Sequence, residues 1–355
     1  MNRTSRYVSC FAAATGIALL GYLLCRAGVS TVVQAIRLLG VGFLVIIGLS
    51  GIRHFLRAMA WRCCVDPGAH HQRLFDLFSL RLIGESATDL SPAGPFLGET
   101  VKIWAVSKSI SAQFGVTSVV IEDLLYSLAT ALFVLSGILI LLVSTAHEHY
   151  LAEPGEVKIL LALSTIILAI AIQQRHLLVK LSVRIGNTRR GQLLLARYGL
   201  ALRSWETGIR EFFRTRRKVL FGVLSIEVTV NVISVAETYL ILKGATAHTS
   251  FISAYLVESA IRCAQLIASF VPFGLGVDEG TTTATLHSLG RTFSEGVSVA
   301  VIRKIRSLFW DFVGMGLAAH FMIARREQGR RTLSAGSQSE NAPRSLASPI
   351  AGSTP

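Results

Sequence analysis

Two uninterrupted apolar runs, ALFVLSGILILLV at 131–143 and ILLALSTIILAIAI at 159–172, constrain this chain more than any other feature. Neither shows the spacing of a helix with one face in water, and a helix of about 20 such residues spans the hydrocarbon of a bilayer. The whole chain agrees: 52% of its 355 residues are hydrophobic and only 16% are charged, outside the usual balance of a soluble domain. The sequence predicts an all-α integral membrane protein. Spans are expected near 8–25, 38–60, 115–144, 157–174, 219–243 and 296–323, a polytopic helical bundle of about six full crossings.

The net charge of +14 is unevenly placed, since twelve Lys and Arg residues fall between Arg175 and Lys218 against two acids, Glu206 and Glu211. In a multispan chain this is the cytoplasmic bias of basic loops rather than a nucleic-acid surface. The basic segments 53–73, 175–218 and 325–331 are therefore expected inside, and the loops 146–156 and 244–250, which lack Lys and Arg, outside. Both termini then face the cytoplasm, in a bacterial inner-membrane, multi-pass arrangement. Five scattered cysteines have neither metal-ligand nor disulfide-framework spacing and read as small core residues.

Two regions do not read as plain spans. DLSPAGPFLGETVKIW (89–104) and VPFGLGVDEG (271–280) each put prolines, glycines and carboxylates into apolar surroundings. Backbone at such a break leaves unpaired amides, which persist at membrane depth only when buried in protein or facing a watery cavity. We expect re-entrant helical hairpins at 75–107 and 251–290, broken at Pro92, Gly94 and Gly98 and at Pro272, Gly274 and Gly276. Pro92 and Pro272 lie 180 residues apart, as do Glu99 and Glu279; SVVIEDLLYSL (118–128) and SVAVIRKIRSL (298–308) align at the same offset.

The chain thus divides into a first repeat at 1–145, a second at 146–325 and a disordered polar tail at 326–355. With three crossings between the hairpins the repeats are inverted, an architecture of secondary transporters whose substrate sites lie where broken helices meet. Glu99 and Glu279, which follow Leu-Gly pairs by one and three residues, are the principal site candidates. Asp278, Lys102, Glu122 and Arg303 supply further charge nearby, and Glu258 and Arg262, like Arg81 and Glu85, are four residues apart on a hairpin helix. Such pairs are either substrate contacts or self-neutralising ion pairs. No P-loop, HExxH or GxSxG motif is present, so no enzyme chemistry, metal or cofactor is expected.

The pieces SPAGPFLGETVKIWAVSK with GVTSVVIEDLLYSLATAL, and ASFVPFGLGVDEGTTTATLHSLG with VSVAVIRKIRSLFWDFVGMGLA, resemble the lysylphosphatidylglycerol synthase transmembrane region family over about residues 8–325. The resemblance implies a flippase-like protein without the soluble synthase domain, similar to a branch associated with hopanoid biosynthesis. It implies a membrane lipid as substrate (an anionic phospholipid, a hopanoid or a polyprenyl-linked lipid), the bilayer and lipid-biosynthesis enzymes as partners, and no nucleic acid. Lys102 stands where the family has an Arg, and Glu122-Asp123 where a Glu-Arg pair is commoner; both departures weaken the expectation of phosphate binding at the first hairpin. The rival readings are a small-solute or ion-coupled transporter of the same architecture, and a non-transporting component of a lipid-biosynthesis complex. A membrane-embedded lipid-modifying enzyme is weaker.

Overall fold

The computed structural model describes residues 37, 40–65, 73–90, 95–106, 112–147, 207–246, 249–267, 274 and 276–340. Among them all regular structure is helical: α1 (Val41–Cys64), α2 (Leu74–Leu90), α3 (Pro95–Val106), α4 (Ala112–His147), α5 (207–215), α6 (Arg217–Ala245), α7 (Phe251–Ile267), α8 (Val277–Ser288) and α9 (Phe293–Glu340). The expected spans near 8–25 and 157–174, the break residues Pro92, Gly94 and Pro272, and most of the 175–218 loop lie outside the described residues.

The helix ends follow local chemistry. α3 begins on Pro95, where the missing amide hydrogen costs nothing. Ser250 accepts from the backbone of Ser253 at the start of α7. Between α8 and α9, Arg291 N–H bonds Leu286 O and Gly290 N–H bonds His287 O, a Schellman stop. Thr292 and Glu295 then cap α9 reciprocally, Thr292 N–H to the carboxylate and Glu295 N–H to Thr292 Oγ1. α9 continues to Glu340, into the segment expected to be disordered; Arg, Glu and Gln recur there among Ser and Gly, and extending a formed helix needs no new nucleus.

Helices α1, α4 and α6 carry windows long and apolar enough to cross a membrane. Large apolar residues stand on their outward faces: Leu44, Leu132, Leu139, Phe221, Val228 and Val232 are all more than half exposed. Their inward residues include Ser50, Glu122, Glu227, Asn231 and Glu237, all buried. A soluble domain has the opposite polarity. This is an all-α membrane fold.

Both broken segments turn back on themselves. A Cβ on Gly98 would lie 2.5 Å from Gly84 O and 1.9 Å from Thr88 Oγ1, so α3 runs directly against α2. Gln265 reaches Asp278 across the second turn, at 3.2 Å. The glycines serve different ends: Gly98 permits close approach, whereas Gly274 and Gly276 adopt φ of +57° and +77°, a region that residues with a Cβ avoid.

The helix pairings have an internal symmetry. α1 packs on α6; every other pairing of several residues remains in the set when α1, α2, α3 and α4 are exchanged with α6, α7, α8 and α9. Thus α2 packs on α9 and α7 packs on α4, each hairpin helix resting on the last helix of the other half. Both contacts rest on a glycine. A Cβ on Gly314 would meet Ser86 Oγ at 2.0 Å and Leu82 O at 2.5 Å, and one on Gly137 would meet Ser259 Oγ at 2.0 Å, the small-residue contact by which membrane helices approach. We expect Gly314→Ala to lose about 1–3 kcal/mol through overpacking. Gly316→Ala, where a Cβ meets nothing within 4 Å, should be neutral or gain up to about 1 kcal/mol of helix propensity; comparative thermal unfolding in detergent checks the pair.

Candidate functional site

Six helices bring their charges to one place. From α1, Arg57 lies 3.4 Å from Glu85 on α2, 3.7 Å from Glu122 on α4 and 4.0 Å from Glu227 on α6. Its guanidinium sits 3.9 Å over the ring of Tyr126, a cation–π contact. Arg81 on α2 bonds Glu85 at 2.9 Å and Glu122 at 2.8 Å, both Arg81 and Glu122 having about 1% of their side chains exposed. His54 Nδ1 is 2.7 Å from Glu85. Each group fills part of its neighbour's bonding capacity, which is what makes burial of charge tolerable.

The network continues into the second half. Arg53 donates to Ser234 Oγ at 2.8 Å and lies 3.6 Å from Glu237 on α6, which also pairs with Arg306 on α9. Arg262 on α7 donates to Glu258 at 3.3 Å, to Tyr126 Oη at 2.8 Å and to Ser234 at 3.1 Å. Glu258 in turn holds Arg303 at 2.8 Å and accepts from Thr238 at 3.0 Å. Arg262 and Arg53 therefore share Ser234.

The hairpin carboxylates sit at the margins of this cluster. Glu99 bonds the buried Lys102 at 2.6 Å, three residues along its own helix. Glu279 bonds Lys304 of α9 at 3.1 Å, and its other oxygen accepts from Gly276 N–H at 2.8 Å. It is thus both a helix-start cap and an ion-pair partner. Their side chains are 28% and 32% exposed, so they meet the surroundings more than the central groups do. Asp278 accepts from Gln265.

A cavity of about 60 Å³ opens between α1, α2 and α9, with Arg53, His54, Glu85 and Arg306 in its wall. Among the described residues, Arg57 Nε, Arg306 Nε and Trp310 Nε1 are buried donors without a hydrogen-bond acceptor. Buried donors normally find partners. Arg306 and Trp310 line the cavity, whereas Arg57 Nε lies 4.0 Å from Glu227 Oε1, which also lacks a hydrogen-bond partner.

The expected site residues therefore separate. Glu122, Glu258, Arg262 and Arg303 join the central network, while Glu99, Lys102, Glu279 and Asp278 form satellite pairs. The two four-residue pairs, Arg81 with Glu85 and Glu258 with Arg262, are present as ion pairs. Arg53, His54 and Arg57, counted above with the basic segment 53–73, are instead inside α1, with side chains only 13–16% exposed. Their signal was a stripe, Ser50, Arg53, Arg57 and Trp61, at helical spacing. Of the cysteines expected in the core, Cys64 is buried but Cys63 is exposed.

Removing one member of a buried pair leaves an unmatched charge and costs about 3–5 kcal/mol, whereas a partly exposed pair contributes about 0–1 kcal/mol. We expect Glu122→Ala to destabilise severely in micelle unfolding, and Glu279→Gln to stay within about 1 kcal/mol of wild type. A smaller effect at Glu122 than at Glu279 would refute this ordering.

Neither a curated protein nor a solved structure matches the chain. The family described as the lysylphosphatidylglycerol synthase TM region matches residues 9–313, a stretch that holds both hairpins and nearly all of the charge network just described. The apolar exterior, the paired broken helices and this match agree, and the chain belongs to the lysylphosphatidylglycerol synthase transmembrane region family.

Proposed function

We propose that the protein is a lipid translocator that carries a negatively charged headgroup past the bilayer midplane between its two hairpins, and that it is not an enzyme. The observation that carries this reading is the cavity wall: Arg53 and Arg306 line it, Arg306 Nε reaches no acceptor among the described residues, and arginine presents its donors in a fork that suits phosphate. Membership of the family supports a role in membrane lipid biology. The exchangeable helix pairings and the 180-residue offset support two repeats; in this reading they are inverted, with six crossings of the inner membrane and both termini cytoplasmic. Glu99 with Lys102 and Glu279 with Lys304 would guard the entry from each side, opening as the headgroup displaces a weak ion pair.

An anionic phospholipid and a polyprenyl phosphate share the headgroup chemistry that this cavity suits. A second reading, a non-transporting component of a lipid-biosynthesis complex, is favoured by how closely Glu258 ties Arg262 and Arg303 together as a structural clamp. The two differ in a reconstituted assay. In proteoliposomes holding a fluorescent phosphatidylglycerol, we expect the wild-type chain to expose the probe to an external quencher at least tenfold faster than protein-free vesicles. Glu99→Gln with Glu279→Gln should lose about tenfold of that rate, which corresponds to about 1.4 kcal/mol. No movement in wild type would remove the translocator reading; unchanged movement in the double variant would remove the role of the two glutamates.

A further inference from the structure

The cavity between α1, α2 and α9 has a second wall that the ion pairs leave unused. There Asp89, at the end of α2, and Asp311 of α9 both line the cavity, their carboxyl groups within reach of each other across it. An ionised carboxylate only accepts hydrogen bonds, so two of them in one small cavity wall repel unless one carries a proton. Asp311 is 5% exposed, and its Oδ2 makes no hydrogen bond among the described residues. The unfilled oxygen lies in the wall of a cavity with room for water.

The surrounding charges decide which cation the pair takes. Glu85 precedes Asp89 by one turn on α2; Arg53 and His54 face the cavity from α1, and Arg306 from α9. Lys304 of α9 and Asp278 of α8 act from further away. Two guanidinium groups in the same wall oppose a metal ion that would have to sit beside them. A proton meets no such opposition, because it binds to a carboxylate oxygen and cancels the charge there.

The pair also joins elements that must stay in contact. Asp89 belongs to the first half and Asp311 to the second, and next to them Ser86 Oγ donates to Asp311 O at 3.1 Å where Gly314 lets the helices touch. We propose that Asp89 and Asp311 form a proton-binding site, and that loss of the proton to the cavity water loosens α2 from α9. The pair then passes from one negative charge to two, and like charges in contact repel strongly where water is scarce. The site stands independently of which lipid, if any, the protein moves.

The test uses the full chain reconstituted in phosphatidylglycerol vesicles in sodium-free buffer. Infrared difference spectra across a pH titration should show the C=O band of one protonated carboxylic acid, lost on alkalinisation and absent from both Asp89→Asn and Asp311→Asn. Spin labels at Phe75→Cys and Met322→Cys, in an otherwise cysteine-free chain, should move apart as the band is lost. Asp89→Asn, which can donate a hydrogen bond to Asp311 at every pH, should hold the labels together. No carboxylic acid band in wild type, a band that either variant leaves intact, or a label distance indifferent to pH would each overturn the proposal. So would sodium at constant pH abolishing the band and moving the labels, since the site would then take a metal cation. The wild-type spectra and distances decide the question even where a variant does not fold.

Discussion

Charge that has left water must find its partner inside the protein, and this bundle is arranged around that requirement. An ionisable side chain at bilayer depth costs at least about 2.5 kcal/mol, and isolated groups in a medium of low dielectric cost far more. Arg57 answers it by touching Glu85, Glu122, Glu227 and Tyr126, and so fixes α1 against α2, α4 and α6 together. Glu258 does the same in the second half, holding Arg262 of its own helix and Arg303 of α9. Apolar packing in lipid is weakly directional. The polar contacts select one arrangement of helices from many that would bury similar area.

The two halves complete each other. Because α2 rests on α9 and α7 on α4, neither hairpin helix is supported within its own half alone. Ser234 receives Arg53 from the first half and Arg262 from the second, so one hydroxyl links the two sides of the network. A protein built in this way can move its hairpins relative to its spans only by exchanging ion pairs. The partly exposed pairs at Glu99 and Glu279 are the least costly to exchange, and the central ones the most costly. That gradient places motion at the margins and rigidity at the centre.

Much of this was legible in the chain. Three of the expected spans coincide with α1, α4 and α6, the helices apolar enough to cross a membrane. Both breaks return as helix pairs, because Pro and Gly interrupt a helix wherever they stand. The pairs Arg81–Glu85 and Glu258–Arg262 followed from spacing on one helix. Arg53 and Arg57 did not, because a basic residue at the end of an apolar run looks the same whether it faces headgroups or a buried carboxylate. Asp89 and Asp311 did not either: 222 residues separate them, and neither has a partner at helical spacing to mark it.

By itself, then, the sequence determined that the chain is helical, that it belongs in a membrane, where its helices break and which residues pair within one turn. Those follow from composition and from periodicity, which are properties of neighbours along the chain. Only the tertiary structure decided which carboxylate each arginine meets, that Glu279 caps its own helix while binding Lys304, and that two aspartates from different halves line one cavity. These are choices between chemically equivalent partners far apart in the chain, and only the packing of the helices decides among them.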